Sequence, residues 1–277
     1  MEVRYAPDEE AYKRMTTAEL RKAFLFEHLF VSGTVSMIYC DNDRAIVGGA
    51  IPQSAPLPLL ATRKEMAADY FLERREIGVV NIGGEGTIVV DGKHFPLSAR
   101  DMLYVGRGAR EVNFTSKDGA NPAHFYFVSF PAHTTYPTSL ARYDLAESSS
   151  IGSSQSANMR TIRRYIHSGG IKSCQLVMGM TELDEGSVWN TMPPHTHQRR
   201  TEVYLYFRLK PDAMAVHLMG KPDEIRSLIV RDREAVLSPS WSIHAAAATQ
   251  NYAFVWAMGG ENQEFSDMDQ LTMRELR

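Results

Sequence analysis

Short runs of apolar, β-favouring residues follow one another along most of this chain, separated by glycine and proline. Val35–Tyr39 and Arg44–Gly49 are two such runs, whereas Ile51–Pro58 contains three prolines and predicts a loop. A longer succession of strands extends from Tyr70 to Phe127, broken by glycine pairs. The pattern therefore predicts a chain made mainly of β-strands.

Two local signals are sharper than the general pattern. Asp91-Gly92 lies between the β-favouring runs Thr87–Val90 and Lys93–Leu97 and predicts a tight hairpin. Near the N-terminus, Leu20, Phe24 and Leu25 recur at helical spacing after Thr16 and Thr17, either of which suits an N-cap. We therefore expect a helix over Thr17–Phe30 and few others.

The polar positions that break the β pattern include one chemical array. His195, His197 and Glu202 form H-x-H-x4-E, and His244 follows in a later segment. Residues two apart in a strand point to the same face, so His195 and His197 can converge on one ion. Three imidazoles and one carboxylate suit zinc, iron, manganese or nickel, and the array therefore predicts a divalent-metal site.

The spacing matches the two-motif signature of a cupin barrel. His244 ends the second motif, P-x-W-x-x-H from Pro239, in which Trp241 replaces the usual glycine. A faint repeat relates Arg74–Val79 to Arg199–Tyr204, which predicts two such barrels. The fold class predicted is therefore all-β: a bicupin of two double-stranded β-helix (jelly-roll) barrels with a few short helices.

The repeat also assigns different roles to the two halves. Tyr70, Leu72 and Ile77 occupy the positions of His195, His197 and Glu202, so residues 1–150 should form a cupin-like barrel without metal ligands. The charged run Glu73–Glu76 is interpreted there as a solvated or interface cluster. Residues 151–277 should form the metal-binding barrel, and the serine-rich segment Ser148–Ser156 should be a flexible linker.

Composition narrows the class of partners. The chain has 277 residues, 44% of them hydrophobic, and a formal net charge of −3. No basic block suggests nucleic acid or a membrane surface, and no stretch reaches transmembrane length. The acidic N-terminal residues favour a cytoplasmic protein, and Cys40 and Cys174 are too far apart in sequence to suggest a thiolate metal cluster. Small molecules and copies of the same chain are the expected partners.

Several segments of this chain resemble the 5-keto-4-deoxyuronate isomerase family of pectin breakdown, over nearly the whole length. The resemblance is carried by Tyr70–Gly78, His133–Pro137, Cys174–Leu176, Trp189–Glu202, Pro239–His244 and Gly260–Gln263. It implies a homohexamer whose subunits each hold one Zn2+ through His195, His197, Glu202 and His244. It also implies conversion of 5-keto-4-deoxyuronate into 3-deoxy-D-glycero-2,5-hexodiulosonate through an enediol or enediolate.

That reaction requires a proton carrier and a carboxylate-binding group. Glu261, Glu202 or a metal-bound water are the candidates for the base, with Glu261 preferred. A planar guanidinium suits the substrate carboxylate, and Tyr204 and Trp241 could line the pocket. The candidate arginines are Arg163, Arg164, Arg199 and Arg200.

Three alternative functions remain open on the residues. A second cupin sugar isomerase, such as 5-deoxyglucuronate isomerase, would differ only in its substrate. An iron dioxygenase could use the same three histidines and glutamate. A non-enzymatic sugar-binding or seed-storage cupin would keep its metal site closed to exchangeable water. The expected function is the intramolecular oxidoreductase, an aldose-ketose isomerase.

Overall fold

The regular secondary structure of the protein is almost entirely antiparallel β-strand in the computed structural model, which describes residues 1–277. The first twelve strands are β1 Glu2–Arg4, β2 Leu25–Phe26, β3 Val35–Cys40, β4 Ile46–Ala50, β5 Leu57–Pro58, β6 Arg75–Asn81, β7 Gly86–Val90, β8 Lys93–Leu97, β9 Met102–Val105, β10 Val112–Ser116, β11 Phe125–Pro131 and β12 Ser139–Ala141. The rest are β13 Glu147–Ile151, β14 Arg160–Ile166, β15 Val177–Leu183, β16 Trp189–Asn190, β17 His195–Thr196, β18 Arg200–Phe207, β19 Ala215–Lys221, β20 Glu224–Val230, β21 Ala235–Ser238, β22 Ile243–Ala248, β23 Ala253–Gly260 and β24 Asp269–Gln270.

Helices are short and few. Two are α-helical, α1 Thr17–Phe24 and α2 Arg63–Met66, and three are 3-10 turns at Tyr12–Arg14, Asn42–Arg44 and Met273–Glu275. Neither α-helix has the length and apolar character needed to span a membrane.

The chain divides into two compact units, and the first comprises Met1–Arg4, His28–Ala146 and Tyr165–Val177. It contains a seven-stranded sheet in the order β1-β3-β4-β11-β6-β9-β12 and a four-stranded sheet in the order β5-β10-β7-β8. Side chains from both sheets form one buried core, in which Phe114 stacks on Phe127 with ring centroids 6.0 Å apart. The interior of this unit is thus filled by aromatic and branched aliphatic side chains.

The second unit comprises Tyr5–Glu27, Glu147–Arg164 and Met178–Arg277. Its strands follow the orders β13-β14-β15-β23-β18-β21-β2 and β16-β22-β19-β20, with β17 and β24 as a separate pair. All eight residues of β18 are buried, and β18 pairs with β21 on one side and β23 on the other. This central strand carries Glu202 into the interior.

This partition differs from the single boundary placed near residue 150. Tyr5–Glu27 belongs to the second unit because Leu25 and Phe26 pair with Val236 and Ala235. The predicted flexible linker is also partly ordered, since Glu147–Ile151 is strand β13 and pairs with β14. Contacts distant in sequence therefore decide where each unit begins and ends.

Tyr165–Val177 belongs to the first unit because a buried carboxylate holds it there. Glu76 is fully buried and accepts hydrogen bonds from Tyr104 Oη at 2.8 Å, Cys174 N at 2.7 Å, Gln175 N at 2.9 Å and Leu176 N at 3.0 Å. The adjacent Arg75 is also buried and donates to the Arg44 and Ser129 carbonyls. The prediction of a solvated charge cluster is wrong for these two residues, whereas an interface role for the run stays a prediction.

Local predictions fared better where turn chemistry was specific. The hairpin at Asp91-Gly92 is confirmed: Val90 pairs with Lys93, and both turn residues have positive φ, 47° and 79°. The first helix is capped at Thr16 with a Thr16–Glu19 capping box, as expected, but it ends at Phe24 rather than Phe30. Strand pairing of Leu25 and Phe26 with β21 overrides their helical spacing.

Candidate metal centre and pocket

Three segments of the second unit bring the four predicted ligands together. His195 lies in β17, His197 follows it, Glu202 lies in β18 and His244 in β22. The chain reverses between the second and third ligands, where Arg200 N donates to the His197 carbonyl at 2.9 Å. Gln198 and Arg199 therefore form the turn after His197, and β18 then carries Glu202 back into the interior.

The donor atoms form one compact cluster. Nε2 of His195 lies 3.1 Å from Nε2 of His197 and 3.0 Å from Nε2 of His244. Oε2 of Glu202 lies 2.9 Å from Nε2 of both His197 and His244. Neighbouring donors around one ion with bonds of about 2.0–2.2 Å are about 3 Å apart, so these distances fit a shared divalent ion.

A backbone contact orients one of the imidazoles. Nδ1 of His197 lies 2.8 Å from the Asp267 carbonyl oxygen, which can only accept. His197 must therefore carry its proton on Nδ1 and present the Nε2 lone pair to the cluster. The same carbonyl accepts from Arg200 Nη2 at 2.7 Å, which fixes it in place.

Electrostatics favour the protonation states that metal ligands need. Burial, reinforced by the neighbouring His244 and His197, lowers the pKa of His195 to about 2, so its ring is neutral at pH 7. Burial opposes ionisation of Glu202, yet His244 and His197 hold the pKa of this carboxyl well below its usual range. A neutral His195 imidazole and an ionised Glu202 carboxylate are the forms of these two side chains that bind a first-row divalent metal.

Three of the four cluster residues, His195, His197 and Glu202, line a cavity of about 380 Å³. The wall is mainly apolar, as is usual for small-molecule sites, with a few polar groups. It is lined by Ile151, Arg160, Ile162, Thr181, Thr191, Met192, Pro193, His195, His197, Glu202, Tyr204, Phe254, Trp256, Met258, Phe265, Met268 and Gln270. Besides the ligands, Arg160 and Tyr204 are the titratable side chains in this lining.

Of the predicted pocket aromatics and the predicted base, only Tyr204 lines this cavity, whereas Trp241 and Glu261 lie outside its lining. Tyr204 lines the cavity, and its hydroxyl lies 3.3 Å from Thr191 Oγ1. Trp241 lies outside the lining and stacks on Tyr12 with centroids 4.7 Å apart. Glu261 is exposed after the end of β23 and is absent from the lining; its backbone N–H donates to the Arg199 carbonyl.

None of the four candidate arginines lines the cavity. Arg163 pairs with Glu182 at 3.0 Å, and Arg164 pairs with Glu147 at 2.5 Å. Arg199 is exposed and bonds both carboxylate oxygens of Asp267 through Nε, at 2.8 and 3.0 Å. Arg200 is buried beside His197 and orders the metal-site loop through Asp267.

Sequence reasoning missed Arg160 and the C-terminal cover of the cavity. Arg160 and Ile162, two apart in β14, both line the cavity, whereas Arg163 points to the opposite face. Alternation within β14 could have separated Arg160 from Arg163, but it places Arg164 on the same face as Arg160. Phe265, Met268 and Gln270 line the cavity too, because Gln270 pairs with His195 in the β17–β24 ladder.

These features define a cupin protein with a candidate divalent-metal centre. Solved structures show the same fold: an IolB-like protein from Salmonella typhimurium superposes with a TM-score of 0.73 at 14% identity, covering 90% of this chain and 96% of that one. An oxalate decarboxylase mutant from Bacillus subtilis gives 0.60 at 11% identity, covering 90% and 79%. The profile of the KduI/IolB family matches residues 30–274, and the chain belongs to this family.

Relatives extend this match to the full length. The chain is 54% identical over 277 residues to the 4-deoxy-L-threo-5-hexosulose-uronate ketol-isomerase of Opitutus terrae, covering 100% of both proteins. A relative of that name from Caldicellulosiruptor bescii is 51% identical over 277 residues, also covering 100% of both.

Proposed function

We propose that this protein is a ketol-isomerase that acts on 4-deoxy-L-threo-5-hexosulose uronate, also called 5-keto-4-deoxyuronate, in pectin breakdown. The observation that carries the proposal is the full-length match, at 54% identity, to an isomerase of that name. A three-histidine, one-glutamate cluster opening on a small-molecule cavity supports it. The product is 3-deoxy-D-glycero-2,5-hexodiulosonate, with the carbonyl moved from C1 to C2.

The residues that would hold the metal are His195, His197, Glu202 and His244. When bound, a divalent ion such as zinc supplies a Lewis acid that polarises the substrate oxygens at C1 and C2. The chain itself supplies an apolar wall, including Phe254, Trp256 and Met258, that excludes bulk water from the reacting carbons.

Two side chains are placed to handle protons. Glu202 is the sole carboxylate in the lining, and its contacts with His197 and His244 both use Oε2, which leaves Oε1 for a substrate proton. Burial, helped by the Glu202 charge, holds the pKa of Tyr204 well above its ordinary value. Tyr204 therefore stays protonated at neutral pH and can donate a hydrogen bond to a substrate oxygen. These placements favour Glu202 over the exposed Glu261 as the base.

The test measures turnover and metal content together. Purified protein is incubated with the uronate, and product is followed beside bound metal in the parent, His197→Ala and His94→Ala. His94 is an exposed histidine of β8 in the first unit and serves as the matched control. We expect His197→Ala to lose metal and activity, and His94→Ala to keep both.

Other results of this assay would indicate a different substrate or reaction. An inactive parent that holds stoichiometric metal contradicts the proposal and directs the assay to 5-deoxyglucuronate, because the family includes IolB proteins. Oxygen consumption would instead indicate an iron dioxygenase. Chelation followed by reloading with zinc, iron, manganese or nickel identifies the active metal.

We further propose that each subunit binds one zinc ion, that the protein is a homohexamer and that it is cytoplasmic. These proposals rest on the family resemblance and on composition. Metal analysis, sedimentation and cell fractionation test them separately. A small-molecule uronate is the proposed partner, with no role for nucleic acid or membrane.

A further inference from the structure

Arg160 is the one arginine whose side chain reaches the cavity. It begins β14, and Ile162, two residues later, lines the same wall. Its side chain is half-buried and makes one hydrogen bond, from Nη1 to the Asn158 carbonyl at 2.7 Å. A guanidinium has five N–H donors in a planar fork, so most of its hydrogen-bonding capacity remains for a ligand.

The neighbouring arginines are engaged elsewhere. Arg163 and Arg164 in the same strand pair with Glu182 and Glu147, and Arg199 pairs with Asp267. Arg160, in contrast, has no carboxylate partner within ion-pair distance. The cavity lining therefore contains a guanidinium that pairs with no carboxylate of the chain.

The surroundings make this absence costly. Burial lowers the pKa of Arg160 from its ordinary value, because the charged guanidinium loses hydration there. A half-buried guanidinium without an anion is best satisfied by a ligand that brings a carboxylate.

We propose that Arg160 binds the C6 carboxylate of the uronate through its planar fork, and so directs the opposite end of the sugar, C1 and C2, to the His195–Glu202 cluster. The inference rests on the proposed function, because it names the group that selects an acid sugar at that site. Tyr204 lines the same cavity as Arg160, and its ring lies 5.2 Å from that of His244.

The test compares the uronate with its C6 methyl ester in the parent, Arg160→Gln, Arg160→Lys and Arg163→Gln. Arg163 is a matched control on the same strand but the opposite face. Its partner Glu182 keeps a second pairing, to Arg208 at 2.7 Å, when Arg163 is replaced. Initial rates give KM, kcat and the ratio of kcat/KM for acid over ester, while melting curves and metal content report folding.

We expect Arg160→Gln to raise KM for the acid about 100-fold and to reduce the acid-over-ester ratio to near one, because a charge-assisted two-pronged contact is lost. Arg160→Lys should keep part of the preference, since it retains the charge but not the fork, and it provides the test if the glutamine variant does not fold. Arg163→Gln should keep the parent ratio.

Failure of this inference is separable from failure of the proposed function. A parent that does not isomerise the uronate overturns both. An active parent whose acid-over-ester ratio is unchanged by Arg160→Gln or Arg160→Lys overturns only the role of Arg160. Equal losses for acid and ester do the same, because they indicate a structural role. A ratio lost in Arg163→Gln instead would move the carboxylate site to that residue.

Discussion

The buried carboxylate of Glu76 provides the sharpest test of how the first unit is held together. Replacing it by glutamine keeps its shape but changes one oxygen into an NH2 group. With the amide oxygen at the Oε1 position, Gln175 N and Leu176 N retain an acceptor. Cys174 N then faces a second donor, while the Tyr104 hydroxyl can rotate to accept.

The loss of stability can be estimated from the hydrogen bonds that are lost or weakened. Leaving the Cys174 N–H without an acceptor costs about 1–3 kcal/mol. Loss of charge from the two remaining bonds adds about 0.5–1 kcal/mol each, because hydrogen bonds to a charged group are stronger than neutral ones. Glu76→Gln should therefore destabilise the protein by about 2–5 kcal/mol. At about 2–4 °C per kcal/mol, the melting temperature should fall by roughly 4–20 °C.

Thermal unfolding of the metal-loaded protein measures this change. Glu76→Ala should be worse than glutamine, since it leaves three backbone N–H groups without an acceptor, at about 1–3 kcal/mol each, and adds a cavity. Glu111→Gln, at an exposed position of the same unit, is the matched control and should melt with the parent. A Glu76→Gln protein that melts within about 1 °C of the parent would refute the reasoning, because the stability of a domain is only about 5–15 kcal/mol.

Three further predictions concern the second unit. Asp267→Ala removes the carboxylate that holds Arg199 and should loosen the segment around residue 267, whose backbone carbonyl orients His197. We therefore expect the affinity for the metal to fall about 10-fold or more, as measured by competition with a chelator. An unchanged affinity would show that the carbonyl is held without the carboxylate. Tyr204→Phe should keep the metal but lower kcat about 10- to 100-fold, because it removes one hydroxyl from the cavity; equal kcat values would exclude a role for that hydroxyl. Burial lowers the pKa of His217 from 6.5 to about 3 in the folded protein. Between these two pH values the unfolded chain binds more protons than the folded protein does. The free energy of unfolding must therefore decrease as the pH falls. Urea unfolding of metal-free protein at pH 7 and pH 5.5 should show a loss of about 1 kcal/mol or more in the parent and a smaller loss in His217→Gln; equal losses would show that His217 does not cause the change.

The sequence was sufficient to predict site residues where residue type and spacing together define the chemistry. Three histidines and a glutamate at fixed offsets have few uses, and the structure does bring His195, His197, Glu202 and His244 within 4.8 Å of one another. Arginine carries no such signal, because ion pairing on the surface is its common fate. Arg163 pairs with Glu182 and Arg164 with Glu147, and no local sequence pattern identifies these partners. For the same reason, the sequence did not distinguish Arg160, which reaches the cavity, from the arginines that form ion pairs.

Tertiary packing also decided which aromatic residues reach the cavity. Trp241 replaces the glycine of the second motif and stands three residues before His244, which made it a natural candidate. The turn at Pro239–Ser242 instead directs it to Tyr12 and Phe24, residues far away in sequence. Trp256 lines the cavity from β23, with its Nε1 bonded to Thr181 Oγ1 at 3.1 Å. Burial alone does not distinguish a core tryptophan from a pocket tryptophan in a sequence.

The repeat within the chain explains why the candidate metal ligands converge in one unit, whereas the equivalent position in the other unit lies in an apolar core. Both units share one strand order, so that β6 corresponds to β18, β9 to β21 and β11 to β23. Ile77 pairs with the last residue of β9, as Glu202 does with the last residue of β21, which gives the two side chains equivalent positions. Ile77 packs in a core with Phe114 and Phe127, where a carboxylate would be buried without a cation at a cost of several kcal/mol. Installing ligands in the first unit would thus require removal of its aromatic core, whereas the second unit keeps aromatic residues such as Phe254 around its cavity and leaves the space beside Glu202 open.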